Sequence, residues 1–170
     1  MRTGWILGRM GRTMINNDVM RSIRYVLDLG DAHVIELIQL ADPDFPVTRQ
    51  DVQAYLKKED EDGFVKCSDR VLARFLDGLV IHCRGRDESH APRRVEDRVS
   101  NNLVLKKLRV AFQLKDVDMH GILAAAGFPV SKPELSALFR QPGHKNYRPC
   151  GDQMLRNFLK GLTLRLRGRR

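Results

Sequence analysis

Few residues in this 170-residue chain are placed to do chemistry, and Cys150 is the first to consider. His144, Lys145 and Arg148 precede it and a helical pattern starts just after it, and both features lower a thiol pKa toward a usable nucleophile. Cys67, however, holds the same place in a second, similar stretch whose neighbours are acidic. A residue kept under opposite electrostatics reads as a small apolar side chain packed at the start of a helix, not as a catalytic thiolate. Asp60, Asp62, Gly63 and Asp69 match positions 3, 5, 6 and 12 of an EF-hand loop, but Lys58 would stand at position 1 and Asp replaces the bidentate Glu. A solvated acidic loop is the better reading. The cysteines and histidines show no paired spacing that would gather a zinc ion. The expectation is therefore no catalytic residue, no cofactor and no metal.

Two further sets of residues can hold anions. Arg24 and Arg109 match across the two similar stretches, each about 100° round its helix from the apolar stripe. They are expected in partly buried ion pairs with a duplicated acid such as Asp69 or Asp152, in preference to gripping phosphate. The larger set is Lys106, Lys107, Lys132, Arg140, Lys145, Arg148, Arg156 and Lys160, followed by Arg165, Arg167, Arg169 and Arg170. Tyr147 is available to stack and Asn146 to hydrogen-bond. Such a collection can follow a nucleic-acid backbone, and no helix-turn-helix, RNA-binding or zinc-finger signature points to sequence-specific reading.

The elements that must position these residues are written twice. Residues 67 to 79 and 150 to 162 share a frame of Cys, Asp, Leu, Phe-Leu and Gly-Leu. Val71, Leu72, Phe75, Leu76 and Leu79 fall on one helical stripe, as do Met154, Leu155, Phe158, Leu159 and Leu162, so both stretches are core helices. Asp69 and Asp152 stand at their starts and are expected to cap them. Gly78 and Gly161 either cap the helix ends or allow a close helix contact, and spacing alone does not choose.

Upstream, the order also repeats. Asn16-Asn17 offer N-caps for a helix through Val19, Met20, Ile23 and Val26; Asp31 can cap a second helix, and Thr48 with Asp51 forms a capping box before a third. The second copy runs Asn101-Asn102, Asp116, then Ser131 with Glu134. The offset is 85 as far as Ala41/Ala126 and 83 from Phe45/Phe128, so one loop near Pro43-Asp44 absorbs two extra residues. The pattern predicts an all-α fold of two tandem four-helix repeats related by pseudo-symmetry. Residues 1–13 are expected to be a disordered extension, 14–83 the first repeat, 84–100 a linker, 101–162 the second repeat and 163–170 a basic tail.

Charge divides along the same line. Residues 16–83 hold 8 Lys/Arg against 13 Asp/Glu, a net of −5; residues 101–162 hold 10 against 4, a net of +6. The chain's net charge of +9 therefore belongs to the second repeat and the ends. Three cysteines without a Cys-x-x-Cys, no secretory signal and no apolar run of membrane-spanning length predict a soluble, cytoplasmic protein.

Several quoted stretches occur together: the two Asn-Asn pairs, Lys57 to Phe64 (Lys-Lys-Glu-Asp-Glu-Asp-Gly-Phe), Arg84 to Ser89, Asn102 to Arg109 and His144-Lys145-Asn146-Tyr147. Over about residues 14 to 167 the chain thereby resembles the YehS-like family of bacterial proteins. The resemblance implies a small cytosolic protein with two tandem copies of a domain of unknown function, and it supplies no catalytic residues. On the residues themselves, the expected function is a non-enzymatic binding protein that contacts nucleic acid through Lys106, Lys107, Lys132, Lys145, Asn146, Tyr147, Arg148, Arg165 and Arg167. The other reading is a protein-interaction or self-associating module in which oppositely charged repeats recruit a partner or a second copy. An enzyme comes third.

Overall fold

A computed structural model describes residues 13–86 and 95–168. Among the described residues there are eight helices and no strand: α1 (Asn16–Leu27), α2 (Asp31–Ala41), α3 (Arg49–Leu56), α4 (Asp69–Arg84), α5 (Asn101–Ala111), α6 (Asp116–Ala125), α7 (Lys132–Leu138) and α8 (Asp152–Arg167). The fold is all-α, with four helices to each repeat. Residues 1–12, almost all of the expected N-terminal extension, and linker residues 87–94 lie outside the described part. Thr163–Arg167, set apart above as tail, continue α8 without a break.

The apolar stripes are buried as their spacing requires. Phe75 and Phe158, related by the repeat, are both fully buried, and the cores of the two repeats merge into one cluster. Within each repeat the long final helix packs on the second helix, α4 on α2 and α8 on α6. Gly78 and Gly161 make that approach possible: a Cβ on Gly78 would lie 1.6 Å from the Leu37 carbonyl oxygen, and one on Gly161 2.0 Å from that of Ile122. The glycines are close-contact residues, not caps.

Capping boxes form at Thr48/Asp51 and Ser131/Glu134. The other expected caps are displaced by one residue or more. Ile15, Gly30, Ser68, Ser100, Lys115 and Gly151 hold the N-cap positions, and Asp31, Asp69, Asp116 and Asp152 occupy the first helical position. A carboxylate in the first turn still faces the positive end of the helix dipole, and its oxygens remain free to reach other segments.

Asp69 and Asp152 use that freedom to join the repeats. Asp69 Oδ1 accepts from Asn16 Nδ2 (2.7 Å) in its own repeat, while Oδ2 accepts from the Val99 amide (3.1 Å) ahead of α5. Asp152 Oδ1 accepts from Asn101 Nδ2 (2.7 Å) and Oδ2 from the Met14 amide (3.0 Å) ahead of α1. The two sets exchange places under the repeat offset, which is the mark of a pseudo-twofold axis. Met14 meets Asp152 and Tyr25 meets Arg167, so α1 and α8 run in the same direction; Val99 meets Asp69 and Lys107 meets Asp77, so α4 and α5 do too, and the four helix N-termini come together at the two carboxylates. One buried cation was not foreseen: Arg74 lies over the Phe45 ring (4.7 Å) and donates to Asp42 (2.9 Å), beside the loop that carries the two extra residues.

Candidate nucleic-acid interface

Asn17 and Asn102 sit inside the first turns of α1 and α5 and pin a loop each. Asn102 Nδ2 donates to the carbonyls of Leu138 (3.0 Å) and Arg148 (2.9 Å), and its Oδ1 accepts from the Cys150 amide (2.8 Å). Asn17 makes the same three bonds to Tyr55, Val65 and Cys67. Each asparagine thus satisfies backbone groups at both ends of the segment between the third and fourth helices of its repeat. The second of these segments is braced further by Arg148 N to Ala137 O (3.1 Å), Tyr147 N to His144 O (2.9 Å) and Asn146 N to His144 Nδ1 (3.0 Å).

The frames match and the charges do not. In the first repeat the loop carries Glu59, Asp60, Glu61 and Asp62, with the Lys57 ammonium folded back onto the Asp62 carbonyl (2.7 Å). In the second it carries Arg140, His144, Lys145 and Arg148 and no carboxylate. Lys106, Lys132, Arg140, Lys145, Asn146 and Arg148 are exposed, and Tyr147 is half-buried. A depression of about 600 Å³, open to solvent, is formed by Phe139, Arg140, Gln141, Pro142, Gly143 and His144. Below it the Arg109 guanidinium lies 4.7 Å from the centre of the Phe139 ring and donates to Asp116 (2.6 Å).

Three cations assigned to this surface are engaged elsewhere. Lys107 is paired with Asp77 of the first repeat (2.6 Å), Arg165 with Asp118 (2.7 Å), and Arg167 covers the Tyr25 ring (4.2 Å) and donates to its carbonyl (2.6 Å). Lys107 and Arg167 are thus taken by the first repeat, which to that extent covers the basic half, while Arg165 is held within the second repeat. Arg109, partly buried, forms the expected ion pair with a duplicated acid, which is Asp116, the counterpart of Asp31; Arg24 is exposed, and Asp69 and Asp152 serve the inter-repeat clasp instead. A second depression, of about 440 Å³, opens in the first repeat between α2 and α4, with His33 and His82 at its rim. The equivalent positions in the second repeat, Asp118 and Arg165, bridge across it.

Both duplicated thiols are buried. Desolvation, then the neighbouring Asp69 or Asp152 carboxylate, pushes Cys67 and Cys150 each up to about 12, so they stay protonated. Among the described residues no three His, Cys, Asp or Glu side chains converge as a metal set, and no helix is long and apolar enough to cross a membrane.

A family profile described as "Protein of unknown function (DUF1456)" matches residues 16–85 and again residues 101–168, the two structural repeats. The chain belongs to the DUF1456 family. "Uncharacterized protein YehS" of Escherichia coli (strain K12) is 46% identical over 152 residues, covering 89% of this chain and 96% of the relative. No solved structure matches the chain. Each DUF1456 unit here is a four-helix repeat with its own asparagine-pinned loop, and the two units differ most visibly in the charge on that loop.

Sequence reasoning missed Phe139 and the depression it floors. Phe139 aligns with Leu56, and that exchange of Leu for an aromatic beside the exchange of acids for bases was the signal available.

Proposed function

We propose that this protein is a non-enzymatic binding protein that takes a nucleic-acid backbone on the basic face of its second repeat. The carrying observation is the pair of loops held by Asn17 and Asn102, built on one backbone frame yet opposite in charge. Arg140, Lys145 and Arg148, with Lys106 on α5, leave four exposed cations that make no ion pair among the described residues. The non-catalytic part of the reading is supported by the thiols, which burial keeps from acting as nucleophiles.

The test is a salt titration of binding to duplex DNA by fluorescence anisotropy. Four phosphate contacts give a log–log slope of about −3.6, and Lys145→Ala with Arg148→Ala halves it to about −1.8. Lys107→Ala leaves the slope unchanged, since that ammonium is held by Asp77. No binding at low salt, or a slope indifferent to Lys145 and Arg148, refutes the proposal.

A further inference from the structure

We infer that the nucleic acid is single-stranded and that the depression bounded by Phe139 and His144 seats one unpaired base. This deepens the function proposed above and rests on it.

Three observations converge on the same few residues. The depression, about 600 Å³ and open to solvent, has room for a nucleobase with its sugar. Its lining offers an aromatic ring, an imidazole and the apolar face of Pro142, flanked by the Arg140 guanidinium. These are the groups on which bases stack irrespective of sequence. The first repeat supplies an internal control. At the equivalent positions it has Leu56 for Phe139, Glu59 for Pro142 and Glu61 for His144, so the stacking groups give way to an aliphatic side chain and two carboxylates, while the cation at Arg140 is kept as Lys57 but folded back onto the Asp62 carbonyl.

The ring is also held in place. Phe139 packs against the buried core, and the Arg109 guanidinium, paired with Asp116, lies 4.7 Å from its ring centre, which limits the ring's freedom before any ligand arrives. Lys145 and Arg148, exposed further along the same pinned loop, are the cations available to phosphates flanking a seated base. A duplex keeps its bases inside the stack and can use only the cations; a single strand can use both.

The experiment compares a short oligothymidine strand with a duplex of equal length, using the full chain and its Phe139→Leu variant, which installs the first repeat's residue. The single strand is expected to bind the wild type more tightly, and Phe139→Leu to weaken single-strand binding about 5- to 150-fold with duplex binding unchanged. A strand carrying one 2-aminopurine reports the contact in the unaltered protein, because stacking quenches that base. Equal binding of both forms with no quenching, or a Phe139→Leu effect equal on both, overturns the base seat while the backbone-binding function stands. Binding to neither form overturns both.

Discussion

A cysteine that keeps its place in both repeats while its surroundings change sign is a small side chain the fold needs. Cys67 and Cys150 show what that need is: each is buried at the start of a long core helix, its amide taken by an asparagine from the first helix of its repeat. Because burial raises both thiols from an ordinary value near 9 to about 12, their contribution to stability is complete below pH 9 and is lost as pH climbs toward 12. Denaturant midpoints of the wild type should therefore fall over that range relative to a Cys67→Ala, Cys150→Ala variant. A parallel fall in both proteins would show that the thiols play no part. Titration with a disulfide reagent should find Cys83, which is exposed, at once and the other two only on unfolding. The sequence disclosed the role of these residues because duplication tests it twice. It did not disclose that Lys107, Arg165 and Arg167 were committed, since the fate of a long cation depends on what the docking of distant helices brings to it.

At the scale of the helix, positions were legible and partners were not. Periodicity placed all eight helices, because a stripe at 3.6 residues has one buried solution. Cap identities slipped by a residue because Asp is favourable both before a helix and in its first turn, and only the third dimension shows that Asp69 and Asp152 are wanted by the opposite repeat. Gly78 and Gly161 were ambiguous for the same reason, since a close crossing is a property of two helices and the sequence displays one at a time. The structure makes the crossing testable. Gly161→Ala places a methyl group against the Ile122 carbonyl, where the backbone of α6 has to move. The expected loss is about 1 to 3 kcal/mol or more by urea denaturation, whereas Gly143→Ala, in open space on the basic loop, should be close to neutral. Equal effects at the two glycines would contradict the close packing of α8 on α6.

The whole molecule is assembled like a dimer whose subunits share one chain. The parallel pairs α1 with α8 and α4 with α5 join the repeats, and each junction carries its own clasp and a cation reaching across: Arg167 to Tyr25 in one, Lys107 to Asp77 in the other. The covalent connection between the repeats is thus additional to a non-covalent one. Chains ending at Arg86 and beginning at Val95, expressed together, should co-purify as a one-to-one complex. Independent elution of two folded halves would show the interface to be too weak to stand without the linker.

That junction also settles which halves would choose each other. Were two first repeats to pair, the place of Lys107 would fall to Ser22 and Asp77 would face no cation; were two second repeats to pair, Lys107 would confront Lys160. Like meets like at a loss in both cases, and only the mixed pair brings the ammonium to the carboxylate. Two repeats that differ in this way pair better with each other than either does with its own kind. The charge difference between the repeats then has a consequence at the junction as well as on the loops, a lasting fidelity between the halves.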